Sequence, residues 1–129
     1  PLLARFTERG WLDDRRFARD FARARAGRRY GRYRVIRELR GKNVEQRWIE
    51  EAVAEVYPAE KTERALVRQR LERRLKDQRP PYPQKLLRSL YASLLRAGFA
   101  SAIIRDELFG RARGQVPEDL ALEEPDEET

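Results

Sequence analysis

The sequence predicts an all-α protein of tandem three-helix repeats in an elongated stack. Three observations carry that prediction. Apolar residues return at three- and four-residue spacing in each segment from Phe17 to Leu108, and no run alternates with period two long enough to argue a strand. Helix stops, Gly, Asn and Pro, punctuate those segments. A shift of 55 residues lays the second half on the first: Val35 falls on Leu90, Ile36 on Tyr91, Leu39 on Leu94, Asn43 on Gly98, Val44 on Phe99, Trp48 on Ile103, Ile49 on Ile104 and Val53 on Leu108. The plainer explanation is two unrelated helical hairpins that share a capping motif.

The first helix is expected at about 13–26, with Phe17, Ala18, Phe21 and Ala22 inward, Asp13 or Asp14 as its N-cap and Gly27 as its stop. Capping explains the Asp13-Asp14 pair better than metal binding or acid–base chemistry, because no further ligand cluster accompanies it. Trp11 and Phe17 are expected in the core. Val35, Ile36 and Leu39 carry a second helix to about Gly41, and Trp48, Ile49, Ala52, Val53 and Val56 a third, which Pro58 follows. Val67, Leu71 and Leu75 mark a long basic fourth helix. Arg79-Pro80-Pro81-Tyr82-Pro83 cannot continue it, since proline lacks the amide donor and restricts the residue before it. A fifth helix starts near Pro83 on Leu86, Leu87, Leu90, Tyr91, Leu94 and Leu95; Gly98 caps its end. Ser101 is placed to cap a sixth, with Ile103, Ile104 and Leu108 inward. A partial third copy of the Gly/Asn hinge is expected at Gly10-Trp11. The units are therefore 11–57 and 58–116, followed by an acidic tail, 117–129, expected to be disordered.

Composition narrows the chemistry. There is no Cys and no His in 129 residues, so disulfides, zinc–thiolate sites, thiol nucleophiles and the commonest general base are excluded. No Gly-rich phosphate loop or paired-acid site supports an enzyme, and no cofactor or metal is expected. No apolar run approaches a membrane span, and no signal-peptide pattern opens the chain; a soluble, cytoplasmic and monomeric protein is expected. Pro1 at the start and the absence of Met suggest a fragment or trimmed chain. The formal charge is +7, but the tail holds seven acids and no base, so residues 1–116 set 29 bases against 15 acids, a net +14. Such a body seeks polyanions.

The bases of interest form two groups. Arg28, Arg29, Tyr30, Arg32, Arg34, Arg37, Arg40 and Lys42 open and flank the second helix; guanidinium groups bind phosphates or carboxylates with two parallel bonds, and Tyr30 could stack on an unpaired base. Arg34 and Arg37 share a face, and reversing both is expected to weaken binding without affecting melting. Arg64, Arg68, Arg70, Arg73, Arg74 and Lys76 spread around the fourth helix, so only some, Arg68 and Arg73 among them, are expected to reach a partner. A solvated face is the alternative for both groups.

The strings Gly10-Trp11-Leu12-Asp13-Asp14-Arg15-Arg16-Phe17-Ala18, Arg29-Tyr30-Gly31-Arg32-Tyr33-Arg34-Val35-Ile36-Arg37-Glu38-Leu39 and Lys42-Asn43-Val44 resemble the RecX family, regulators of the recombinase RecA. Leu90-Tyr91-Ala92-Ser93-Leu94-Leu95-Arg96-Ala97-Gly98-Phe99 with Ile104 looks like that family's third repeat. Asn43 stands where the family usually has Gly, and Ala97 where a basic residue usually precedes Gly98. The resemblance, over roughly 1–110, implies that residues 1–10 end a truncated first repeat. It further implies binding along a RecA filament on single-stranded DNA, with contacts to DNA phosphates, and damping of recombinase, ATPase and coprotease output in DNA repair, recombination and the SOS response. Arg96, beside Gly98, joins the candidate contacts on this footing. The competing function is a stand-alone helix-turn-helix DNA-binding module.

Overall fold

The computed structural model describes residues 8–112, with side-chain surroundings from residue 13. The acidic tail and most of segment 1–10 lie outside the described residues. The described chain is all helical: α1 (Glu8–Gly27), α2 (Arg32–Gly41), α3 (Gln46–Val56), α4 (Glu60–Leu75), α5 (Gln84–Arg96) and α6 (Ser101–Arg111). They form two three-helix units in tandem. In the first, α1 packs on α3 and α2, and α2 on α3; in the second, α6 receives both α4 and α5.

The 55-residue repeat is visible atom by atom. After α2, Asn43 takes φ +63°, its amide donates to the Arg40 carbonyl at 3.0 Å, and the Val44 amide to the Leu39 carbonyl at 3.1 Å. After α5, Gly98 takes φ +99°, with the matching bonds to Leu95 at 3.0 Å and from Phe99 to Leu94 at 3.3 Å. Each is a helix end closed by a left-handed residue whose following hydrophobe folds back onto the last turn. Val44 and Phe99 are accordingly buried, each in its own core. Val35, Leu39, Ile49 and Ala52 fill the first core with Ala18 and Ala22; Leu87, Leu90, Tyr91, Leu94, Ile104 and Leu108 fill the second with Val67 and Leu71.

Four expectations are corrected. Helix α1 begins no later than Glu8, so Asp13 and Asp14 lie inside it and neither is its N-cap. Gly10 is inside the same helix, so the third hinge does not form there. Phe17 is 42% exposed: the α1 residues buried in the core with Ile49 and Ala52 of α3 are Ala18 and Ala22, and Phe17 lies on the flank, 5.7 Å from the ring of Phe21. Ser101 is the first residue of α6 rather than its cap; Ala100 holds the N-cap position. The side chain of Trp11 lies outside the described residues.

The two units meet head to foot. Helix α2 has Gly31 at its N-cap and no side-chain cap of its own, which leaves its first amides without partners inside the helix. The second unit supplies them. The Gly31 amide donates to the Ala97 carbonyl at 2.7 Å and the Tyr33 amide to the Gly98 carbonyl at 3.1 Å. Between them, the Arg32 amide donates to the Glu63 carboxylate at 3.3 Å. The contact is so close that a Cβ on Gly31 would run into the Gly98 carbonyl, and one on Gly98 into the Arg34 amide.

Candidate anion-binding cleft

On two helix faces the guanidinium groups are answered by acids. On the α1–α3 face Arg15 meets Glu51 at 2.5 Å and Arg23 meets Glu55 at 2.7 Å. Arg25 meets Glu38 at 2.7 Å. On the α4–α6 face Arg64 bridges Glu60, Asp106 and Glu107, and Arg68 holds Glu107 through two bonds of 2.6 and 3.2 Å. Both arginines keep their protons more firmly than usual: for Arg64 the hydrogen bond to Asp106 is the largest cause, and for Arg68 the bond to Glu107. Basic residues paired in this way contribute little net field to a partner.

One region differs. The turn between α1 and α2 leans on α4 and α5, and between them lies a cleft of about 240 Å³ lined by Arg28, Arg29, Arg70, Arg73 and Arg74, with Ser93 at its side and Leu71, Leu90 and Leu94 beneath. No acid lines it. The turn is shaped by Arg29, a non-glycine residue at φ +63°, a conformation uncommon for such side chains. It aims two carbonyls at α4, where Arg70 donates through Nε to the Arg29 carbonyl and through Nη2 to the Arg28 carbonyl, the latter at 3.4 Å. Carbonyls satisfy the hydrogen bonds of a guanidinium but leave its charge uncancelled. Burial pulls the Arg70 pKa down, Tyr30 works against it through a hydrogen bond and its charge, and Arg34 adds a smaller repulsion; the cleft carries positive charge that an incoming anion would relieve.

Tyr30 links this cleft to the unit junction. Its ring lies under Arg34 at 4.2 Å and Arg70 at 4.9 Å, with Arg25 at 5.9 Å, contacts that cations make favourably with aromatic faces. Its carbonyl accepts from the buried Tyr57 hydroxyl at 2.7 Å. The stacking partners the structure gives the ring are therefore guanidinium groups. Below it Glu63, 4% exposed, pairs with Arg32 at 3.5 Å. Burial raises the pKa of Glu63, against the Arg32 amide and guanidinium, which lower it. Burial, then Glu63, pushes Tyr57 far above its ordinary value.

The remaining predicted contacts are distributed as follows. Arg34, besides covering Tyr30, pairs with Glu38 at 3.5 Å and reaches the Arg96 carbonyl at 3.4 Å. It is part of the junction, so its reversal is now expected to lower melting as well. Arg37 is half-buried on α2. Arg40 donates to Gln46 at 3.3 Å, and Lys42 sits 5.7 Å from the Phe21 ring. Arg96 is exposed at the end of α5. Thus Arg28, Arg29 and Arg73 converge in the cleft, and Arg32, Arg34 and Tyr30 in the junction beside it. Arg68 is turned to Glu107. Sequence reasoning passed over Arg70, Arg74 and Glu63, although Arg70, Arg73 and Arg74 stand at i, i+3 and i+4 and so share one side of α4. Among the described residues no three acidic groups gather as a metal site would need.

Residues 13–53, which span most of the first unit, match the family description "RecX, second three-helix domain". The chain is 36% identical over 110 residues to "Regulatory protein RecX" of Mycolicibacterium smegmatis, covering 81% of this chain and 57% of that protein. The chain belongs to the RecX family. A second RecX relative, "Regulatory protein RecX" of Mycobacterium sp. (strain KMS), is 33% identical over 115 residues, 82% of this chain and 62% of its own length. The chain therefore spans about three fifths of the length of these RecX relatives. No solved structure matches it. The RecX match begins at Asp13, inside α1, and ends at Val53, just before α3 does, so it covers α2, the helix whose N-terminal amides the second unit caps.

Proposed function

We propose that this RecX-family chain is a non-enzymatic regulator that binds the RecA filament on single-stranded DNA and lowers its recombinase, ATPase and coprotease output in DNA repair and recombination. The observation that carries the reading is the acid-free cleft of five arginines between two units joined by hydrogen bonds. A surface built from two units in tandem suits a target that is itself a polymer, and its uncancelled charge suits one rich in phosphate. Arg28, Arg29, Arg73 and Arg96, with Arg37, Arg40 and Lys42 along α2, are the residues proposed to meet it. No helix among the described residues is long and apolar enough to cross a membrane, and the working location is proposed to be the cytoplasm, with the chain acting as a monomer.

The test is a titration of the protein against preassembled RecA filaments, with bare single strands and duplex as comparisons and ATP turnover as readout. A saturable fall in turnover is expected. Tight binding to one duplex sequence with no effect on the filament would instead establish a helix-turn-helix module.

A further inference from the structure

We infer that the cleft between the α1–α2 turn, α4 and α5 is a phosphodiester site that holds the backbone of a single nucleic-acid strand whether or not a recombinase is present. The inference deepens the proposed function and rests on it only for its biological setting. Three features carry it.

The lining is five guanidinium groups and no carboxylate, and Arg forks match phosphate oxygens two at a time. The positive charge is also fixed in place. The Arg28 and Arg29 carbonyls hold Arg70 in place by hydrogen bonds, and no carboxylate lines the cleft to neutralise its charge. Finally, the charge continues beyond the cleft. Arg29 and Arg73 also border a second depression of about 310 Å³, with Gln69, Glu72 and Lys76, whose one acid, Glu72, leans toward Arg111 at 3.6 Å. Arg70, Arg73, Arg74 and Lys76 thus form a basic track along α4 that asks for a polymer charged at every unit.

A phosphodiester backbone has that regularity. A flexible single strand can press successive phosphates into a concave track, whereas the phosphates of a duplex lie on a stiff convex cylinder. The grip is on the backbone, so it is indifferent to base sequence. Because the walls come from both units, an occupying strand also ties them together and raises the melting temperature by mass action.

The test uses the full chain and a fluorescent oligothymidylate, with a duplex of equal length and polyglutamate as comparisons. The variants are Arg73→Glu with Arg74→Glu, and Arg16→Glu as a control. Arg73 and Arg74 are exposed at the cleft; Arg16 is exposed on α1, away from it. The double reversal is expected to weaken oligothymidylate binding by tenfold or more and to flatten the log–log salt slope by about 0.7 for each phosphate that is no longer bound. The control should change affinity by less than threefold, and oligothymidylate should raise the wild-type melting temperature. Equal losses in both variants would reduce the effect to net charge and overturn the site. So would an unchanged double reversal, tighter binding of duplex, or full displacement by polyglutamate at equal charge, which would make the partner an acidic peptide. RecA is absent from every arm, so the site can fail while filament regulation stands, and filament regulation can fail while the site stands.

Discussion

The amide of Gly31, which opens α2, donates over 2.7 Å to the carbonyl of Ala97, which follows α5. One unit thereby caps a helix of the other. With the Tyr33 and Arg32 amides bound to Gly98 and Glu63, the positive end of α2 abuts the negative end of α5 and a carboxylate, so the helix dipoles favour the joint. The arginine cleft lies beside this joint.

Gly98→Ala tests the joint. The substitution puts a side chain at φ +99° and drives its Cβ into the Arg34 backbone. A loss of about 2 to 4 kcal/mol in denaturant melts is expected, from the left-handed conformation and the overpacking together. The equivalent change at Asn43, an L residue already, should cost far less.

Phe99 and Phe17 separate core from flank. Phe99 is fully buried and Phe17 is 42% exposed. Phe99→Ala should cost about 3 to 5 kcal/mol, and Phe17→Ala about 0.5 kcal/mol or less, in the same melts.

Glu63 gives the joint a pH dependence. Its pKa is raised on folding, so between the ordinary carboxylate range and the raised value the folded chain keeps a proton that the unfolded chain has released. Its contribution to stability is complete at low pH and is lost as pH rises through the folded value. Glu63→Gln keeps an acceptor for the Arg32 amide and removes the titration. Melts from pH 4 to 7 should show the variant gaining on the wild type as pH rises; a constant difference would show that Glu63 does not titrate in this window.

Arg34 and Arg37 divide structure from contact. Arg34→Glu breaks the pair with Glu38, the bond to the Arg96 carbonyl and the cover of Tyr30, so it should lower stability by about 1 to 3 kcal/mol. Arg37→Glu should leave melting unchanged and weaken filament binding. Circular-dichroism melts beside filament titrations separate the two effects.

Removing residues 117–129 deletes seven negative charges and no positive one. Tighter and more salt-sensitive nucleic-acid binding is expected, with each duplex phosphate bound adding about 0.9 to the salt slope. Unchanged affinity at low salt would show that the tail does not compete.

Helices α2 to α6 were legible because their apolar spacing and their stops agree. The start of α1 was not. Asp13-Asp14 looks like a cap, and Gly10 like a hinge, yet a helix-interior Gly costs only about 1 kcal/mol, and the packing of α1 on α3 outweighs it. Phe17 misled because hydrophobicity predicts burial, whereas the α1 residues buried in the core with Ile49 and Ala52 are Ala18 and Ala22. The cleft was half legible. Its arginines are plain in the sequence, but their convergence depends on Arg29 adopting a left-handed turn that no glycine announces, and on Glu38, Glu51, Glu55 and Glu107 neutralising the competing faces. Apart from Arg34 with Glu38, four apart on α2, those pairings join different helices, and local spacing carries no record of them.

Whether the arginine cleft works on a RecA filament is tested most directly by ATP turnover. Preassembled RecA filaments on single-stranded DNA are titrated with the wild-type chain and with Arg28→Glu combined with Arg73→Glu. A saturable fall with the wild type, shifted at least tenfold to higher concentration in the variant, is the predicted result. Turnover that stays level across the wild-type titration, or falls identically with the variant, would contradict it.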